Sequence, residues 1–344
     1  MKVIIQIPCF NEAEQLPATL RDLPHEIPGV DELEWLIIDD GSTDDTLAVA
    51  RANGVDHIVR FTAHKGLAAA FQAGLDACLK LGADVIVNTD ADNQYSGADI
   101  PKLVQPIIEG HADLVVGDRR VGQIDEFSPV KKALQHVGGA VVRRFSDTTI
   151  PDVTSGFRAY SREAALQVQV VSKFTYALET IIQAGKMFVA VDSVPISTNP
   201  RTRESRLFSS IWQYVRRNAL AILRIYTMYE PLRVFTIAAG LVAIVGAAIW
   251  ARFIYYFATG DGHGHVQSLI LGATMLIIAV QLAALGVLAD VLAAMRVLLQ
   301  RSLERIQRLE LHIGVEPSYY EPAQRALDDE LAPTTGSRAR SGRR

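Results

Sequence analysis

Asp90 and Asp92 stand two residues apart at the end of the apolar, β-branched run that starts at Asp84, and Gln94 follows after the same interval. In an extended chain such positions point the same way, so two carboxylates and a carboxamide would offer oxygen ligands to a hard divalent cation. Alone, the pattern more often marks a strand ending in an Asp-rich turn, because Asp and Asn favour turns. Three other polar clusters add weight to the metal reading: Pro8-Cys-Phe-Asn11-Glu12, Asp39-Asp40-Gly-Ser-Thr-Asp44 and His64-Lys65-Gly66. Glu12 and Lys65 also admit local readings, as charges near helix starts.

Strands must deliver these clusters. Short β-rich runs at Lys2 to Ile7, Leu33 to Asp39, His57 to Arg60, Asp84 to Thr89, Leu114 to Gly117 and Phe188 to Val194 predict six strands. Helical periods lie between the early ones, at Ala13 to Leu23, Thr46 to Asn53, Gly66 to Leu81 and Asp99 to Gly110. The alternation predicts an α/β fold, a Rossmann-like open and mostly parallel sheet, whose ligands bind outside the carboxyl ends of the strands. The polar clusters fall there. No Gly-x-Gly-x-x-Gly follows the first strand, which argues against a dinucleotide site.

The chain has 344 residues, 49% of them hydrophobic, and a formal net charge of -4, which gives no sign of nucleic acid as a partner. Its mean hydropathy of +0.17 is concentrated near the C-terminal end. Val234 to Phe257, with Arg252 near its end, and the uncharged run Val266 to Ala289 are each long enough to cross a bilayer, which takes about 20 residues. Trp250, Tyr255 and Tyr256 form an interfacial belt. Arg216, Arg217, Arg224 and Arg233 precede the first run and Arg296, Arg301, Arg305 and Arg308 follow the second, whereas the loop between carries neither Lys nor Arg. The positive-inside tendency then predicts an integral membrane protein whose N-terminal α/β domain and both termini are cytoplasmic. The start, Lys2-Val-Ile-Ile-Gln-Ile, turns polar too soon for a signal peptide. Two cysteines, Cys9 and Cys78, require no disulfide framework.

In order and spacing, Pro8-Cys-Phe-Asn-Glu12, Asp39-Asp40-Gly-Ser, Lys65-Gly66-Leu67 and Asp90-Ala91-Asp92-Asn-Gln94 resemble the nucleotide-sugar half of family 2 glycosyltransferases with the GT-A fold. Asp152-Val-Thr-Ser-Gly-Phe-Arg158-Ala-Tyr160 and the two apolar runs narrow the likeness to polyprenyl-phosphate glycosyltransferases, the group of dolichyl-phosphate mannose synthases and bacterial undecaprenyl-phosphate sugar transferases. The resemblance spans roughly residues 1 to 290. It implies a donor pocket shaped by Pro8, Asn11, Glu12, Asp90 and Ala91, with Asp39 or Asp40 on the base and ribose and Lys65 near the donor. It implies Mg²⁺ or Mn²⁺ held by Asp90, Asp92 and Gln94, and an acceptor phosphate met by Arg119. Lys131, Arg158, Arg201, Arg203 and Ser205 join that acceptor set. Where the mannose synthases carry an Arg and a Ser, this chain reads Lys131-Lys-Ala-Leu-Gln135-His136, and lysine meets phosphate without the bidentate fork.

A lipid monophosphate has a second pKa of about 6, by analogy with phosphoserine, and is largely a dianion at neutral pH. Such a nucleophile needs positive charge to position it and no general base. A sugar-hydroxyl acceptor would need one, with Glu179 as the candidate. The expected activity is therefore metal-dependent, inverting transfer of one sugar from a UDP- or GDP-linked donor to a dolichyl or undecaprenyl phosphate. A processive polysaccharide synthase ranks lower, because Gln213-Tyr-Val-Arg216 is followed by Arg217 where those enzymes carry Trp. A non-catalytic membrane scaffold is the other alternative, disfavoured by intact Lys65, Asp90 and Asp92.

The expected domains are a GT-A domain over 1-205, amphipathic interfacial helices over 206-231 and a transmembrane hairpin over 232-290, with spans near 234-257 and 266-289. A helix over 291-314 has apolar residues recurring every seven at Leu292, Leu299, Ile306 and Ile313, which suits a coiled coil and homo-oligomer or a single helix on membrane lipid. A Pro-, Ser- and Arg-rich disordered tail over 315-344 completes the expectation.

Overall fold

The computed structural model describes residues 1-120, 139-140, 142-144, 146, 148-171, 176-200, 219-220, 223-224, 226-260 and 266-323. Lys131, Arg201, Arg203, Ser205 and more than half of 206-231 lie outside the described residues. The chain divides into two compact units: Met1–Ser209 with Ile306–Arg344, and Ser210–Arg305.

Among the described residues the first unit has eight strands: β1 (Lys2–Cys9), β2 (Glu32–Asp39), β3 (His57–Arg60), β4 (Val85–Asn88), β5 (Leu114–Asp118), β6 (Arg158–Ser161), β7 (Val191–Pro195) and β8 (Tyr320–Pro322). They form one sheet in the order β7-β5-β6-β4-β1-β2-β3-β8. β1 pairs in parallel with β2 and β4, β2 with β3, and β5 with β7. β6 runs antiparallel between β4 and β5, and β8 runs antiparallel along β3. The long runs of fully buried residues in β1, β2, β4 and β5 reflect a sheet covered on both faces.

Helices α1 (Leu16–Asp22), α2 (Thr46–Ala52), α3 (Leu67–Lys80), α4 (Ile100–Ile108), α5 (Arg162–Gln167) and α6 (Ala177–Lys186) lie among its described residues. The expected strands and helices are present with shifted ends. The starts of α1 and β7 move most, by three residues each; before β7, Phe188 has φ of 58°, which turns the chain after α6.

Two strands are additions to the expected six. β6 is only four residues long and opens on a charge, so no apolar run announces it. Its register pairs Asn88 with Arg158, so the turn preceding β6 lies at the edge where β4 and β5 end. β8 corrects the expected disordered tail: residues 315-323 are ordered, with Tyr320 opposite Val59 and Ala323 buried.

The second unit's described part contains helical residues between 219 and 229, α7 (Pro231–Ala258) and the long α8 (Val266–Ile313), whose turns from Ile306 onward belong to the first unit. Each has a mean hydropathy of 2.3 over an 18-residue window that is only 11% buried, so both are long and apolar enough to cross a membrane. Apart from Pro231, the buried residues of the pair are all small: Ala239 and Gly246 on α7, Gly272, Ala279 and Gly286 on α8. A Cβ on Gly272 would lie 2.4 Å from Trp250 Cδ1 and 3.1 Å from the Gly246 carbonyl oxygen, so the helices meet backbone to backbone along this seam. α8 runs unbroken past residue 290, so the expected boundary between hairpin and following helix is not an element boundary.

Candidate active site at the carboxyl edge of the sheet

Beyond β1 the chain turns at Asn11, whose φ of 54° lies in the left-handed region that asparagine tolerates. Asn11 Oδ1 accepts from Thr43 N at 2.8 Å and Ser42 Oγ accepts from Asn11 N at 3.0 Å, tying the exit of β1 to that of β2. Glu12 N donates to Thr46 Oγ1 at 2.9 Å. Pro8 is buried in β1.

The paired aspartates after β2 do different work. Asp40 accepts from Lys65 N at 2.6 Å and Gly66 N at 2.8 Å, and His64 Nδ1 lies 2.9 Å from its Oδ2. Its oxygens are spent on the loop that opens α3. Asp39 Oδ1 accepts from Ser42 N at 3.0 Å, while its buried Oδ2 has no hydrogen-bond partner; Arg60 Nε is 3.9 Å away. A buried carboxylate oxygen without a donor costs free energy that a ligand hydroxyl or ring N–H would recover. Of the two residues left open by the sequence, Asp39 is the one that keeps a carboxylate oxygen without a hydrogen-bond donor.

Lys65 is exposed, and its ammonium lies 4.2 Å from the ring centroids of both Phe61 and Tyr319.

The Asp90-Ala91-Asp92 turn is braced from several sides. The buried Ala91 carbonyl accepts from Thr19 Oγ1 at 2.8 Å, and Asp92 Oδ1 accepts from Gln94 N at 3.1 Å. The Gln94 carbonyl accepts from Asn199 N at 2.9 Å, so Gln94 shapes the turn through its backbone. Asn199 Nδ2 also donates to the Asn93 carbonyl at 3.1 Å, which brings the chain after β7 against this turn.

Beneath it lies a buried network that the sequence reading missed. Gln6 Nε2 donates to Asn88 Oδ1 at 2.9 Å, and Asn88 Nδ2 donates to the Gly156 carbonyl at 2.8 Å and the Tyr176 hydroxyl at 2.9 Å. Gly156 N in turn donates to the Tyr95 hydroxyl at 3.1 Å. Both backbone groups of Gly156 are thereby fixed beside Asp90. A Cβ there would sit 3.3 Å from each Asp90 carboxylate oxygen.

Arg119, just past β5, donates from Nε to Asp152 Oδ2 at 2.6 Å and from Nη2 to Asp152 Oδ1 at 3.0 Å and Thr154 Oγ1 at 2.8 Å. Burial alone would raise the Asp152 carboxyl, but the guanidinium and the hydrogen bonds from Arg119 and Thr154 hold it below the usual carboxylate range. Asp90 moves the other way: burial first, then the charge of Asp92, push it up to about 7, although Arg119 pulls downward. Two carboxylates crowded in this way attract a cation. No group of three or more His, Cys, Asp or Glu that could hold a metal occurs among the described residues. The donor set fits a divalent ion of the Mg²⁺ kind, which is commonly held through one or two carboxylates with substrate phosphates completing its shell.

One expected site residue, Arg158, is corrected. Arg158 is fully buried, and its Nε, Nη2 and Nη1 donate to the Ser155 carbonyl at 2.8 Å, the Val153 carbonyl at 3.0 Å and Thr180 Oγ1. It locks the turn before β6 and is not placed to receive an acceptor phosphate. Glu179 is buried on α6, where its Oε1 accepts from Val171 N at 3.2 Å and Gln183 Nε2 at 3.3 Å, a structural setting for a residue considered as a base.

Comparison with known proteins bears on the family and the fold. The family model described as "Glycosyl transferase family 2" matches residues 4–168. An undecaprenyl-phosphate mannosyltransferase of Micrococcus luteus is 29% identical over 207 residues, covering 57% of this chain and 83% of that protein. A polyprenol monophosphomannose synthase of Mycolicibacterium smegmatis is 31% identical over 212 residues, covering 58% of this chain and 78% of that protein. Among solved structures, glucosyl-3-phosphoglycerate synthase of Mycobacterium tuberculosis, in complex with Mn²⁺, UDP and glucosyl-3-phosphoglycerate, superposes with a TM-score of 0.51. At 20% identity, covering 64% of this chain and 79% of that one, it is a likeness of fold.

Proposed function

This chain belongs to glycosyl transferase family 2, with a GT-A-like fold, and from that premise we propose that it transfers one sugar from a nucleotide diphosphate to a polyprenyl phosphate at the cytoplasmic face of a membrane. The observation that carries the proposal is the juxtaposition of an acidic pole, Asp90 with Asp92, and a basic one, Arg119, whose charges act on each other at the edge where β4 and β5 end. The acidic pole would hold Mg²⁺ or Mn²⁺, which when bound neutralises charge developing on the leaving diphosphate. Asp39 Oδ2 would accept from the nucleoside, and Lys65 would face the diphosphate.

Arg119 would orient the acceptor. The phosphate oxygen forms a bond to the anomeric carbon as the bond to the diphosphate breaks, and the electron pair departs with the nucleoside diphosphate. The acceptor being anionic already, no proton need be removed, which suits a Glu179 engaged inside α6. One displacement inverts the anomeric centre.

The two relatives' names supply the acceptor class and make a mannosyl donor the first to test. The apolar α7 and α8 supply a lipid setting. We read 1-205 as the catalytic domain and 232-290 as its membrane anchor.

The test is turnover by the detergent-purified full chain with Mn²⁺, a short polyprenyl phosphate and a panel of UDP- and GDP-sugars, followed by mass and anomeric analysis of the lipid. One hexose added with inversion is expected. Retention, or transfer only to sugar hydroxyls, would overturn the reading.

A further inference from the structure

The ammonium of Lys65 is held by residues from opposite ends of the chain. Phe61 follows β3 and is buried; Tyr319 arrives from beyond the apolar helices, and the two rings meet nearly edge to face, 5.5 Å apart at 82°. Lys65 Nζ sits 4.2 Å from each ring centroid, within cation–π range. Tyr319 adopts φ of 62°, a conformation that costs a tyrosine free energy and persists only where its surroundings impose it.

Those surroundings are specific. The Tyr319 carbonyl accepts from Arg60 N at 2.9 Å, β8 pairs along β3, and the Tyr320 hydroxyl lies 2.8 Å from His57 Nδ1. Glu321 pairs with Arg51 at 3.2 Å, and upstream Glu310 pairs with Lys80 at 3.1 Å.

We propose that the segment 314-323 is part of the donor-binding machinery, with Tyr319 a positioning residue that holds the Lys65 ammonium ready for the diphosphate. This rests on the donor-pocket reading of Lys65 given above. The chemistry of the clamp favours such a role over simple cover for a sheet edge. A carboxylate partner would orient a lysine and cancel its charge, whereas an aromatic face orients the ammonium and leaves its charge for a phosphate. A free lysine side chain carries about 2 kcal/mol of rotamer entropy, and confinement between two rings removes part of that cost before the ligand arrives.

The experiment uses the full chain in detergent, with GDP–Mn²⁺ and UDP–Mn²⁺ titrated separately and donor KM and kcat measured with whichever sugar nucleotide turns over. Tyr319→Ala is expected to weaken binding of the accepted nucleotide and raise donor KM about fivefold, the scale of a cation–π contact of about 1 kcal/mol, with the loss on KM and not on kcat. Tyr319→Phe, which keeps the ring, should recover most of that loss; Tyr319→Leu, which keeps apolar bulk without a π face, should not. In a Lys65→Ala background, Tyr319→Ala should add nothing. Wild-type affinity in Tyr319→Ala and Tyr319→Leu, a Phe variant as weak as the Leu variant, or an undiminished effect in the Lys65→Ala background would overturn the positioning role. Wild-type affinity in Lys65→Ala itself would overturn the donor-pocket reading of Lys65, and this proposal with it, a result separable from the others. Should Tyr319→Ala fail to fold, the Phe and Leu pair decides.

Discussion

Arg119 grips Asp152 with two prongs, Nε to Oδ2 at 2.6 Å and Nη2 to Oδ1 at 3.0 Å, and both side chains are nearly withdrawn from water. The pair ties the end of β5 to the turn before β6. Removing the carboxylate leaves a desolvated cation short of its partner, so Asp152→Ala is expected to destabilise the catalytic unit by about 3 kcal/mol. Chemical denaturation followed by tryptophan fluorescence would measure it; an unchanged midpoint would show that Arg119 is held by other means.

The same pair sets an acid limit. The folded-state pKa of Asp152 is lowered, so its contribution to stability is fully present above the unfolded value of about 3.9 and is lost as pH falls through the folded value. Thermal midpoints of the wild type should carry a share of their decline below about pH 4 that Asp152→Asn lacks. Parallel pH profiles for the two proteins would contradict the assignment.

Asp92→Ala should reduce turnover at least about a hundredfold, as expected when charge stabilisation of a leaving group is lost. Chelation of the wild type should do the same, and added Mn²⁺ or Mg²⁺ should restore only the wild type. Full turnover by the variant would place the cation elsewhere.

Gly156 occupies a space without room for a methyl group. An added Cβ would lie 2.7 Å from the Tyr176 hydroxyl and 3.3 Å from both Asp90 carboxylate oxygens. Gly156→Ala should cost about 1 to 3 kcal/mol through overpacking and lower turnover by moving Asp90. Denaturation and kinetics on one preparation test both effects; an Ala variant with wild-type kcat would show that the Asn88–Tyr176 network yields without disturbing the carboxylates.

Gly272 tests the hairpin. Gly272→Val would drive its side chain into Trp250 and the Gly246 backbone, whereas a Cβ on Gly240 meets nothing within 4 Å. Thermal stability in detergent should fall for Gly272→Val and hold for Gly240→Val. Equal stability of the two would contradict close packing along the small-residue seam.

Much of the candidate site was legible because its residues sit where local pattern changes. An apolar run ending in Asp90 and Asp92, or in Asp39 and Asp40, marks a buried strand meeting its ligand edge, and this reads from a few adjacent residues. Arg158 misled because a basic side chain in a glycine-rich turn looks the same whether it faces a phosphate or its own backbone. Its burial and its hydrogen bonds to the Ser155 and Val153 carbonyls and to Thr180 Oγ1 take it out of reach. Asn88 itself reads as one more residue of β4, and its partners Gln6, Gly156 and Tyr176 come from distant elements.

By itself, then, the sequence determined the parallel α/β scaffold, the edge that carries the polar clusters and the two apolar helices, because strand burial, turn chemistry and hydropathy are properties of neighbours along the chain. The tertiary structure decided which of Asp39 and Asp40 keeps an oxygen without a hydrogen-bond donor, which arginine is locked to its own turn, and that the Tyr319 ring meets the Lys65 ammonium. Each of these depends on hydrogen bonds or ring contacts between residues brought together by sheet order, which short-range periodicity does not encode.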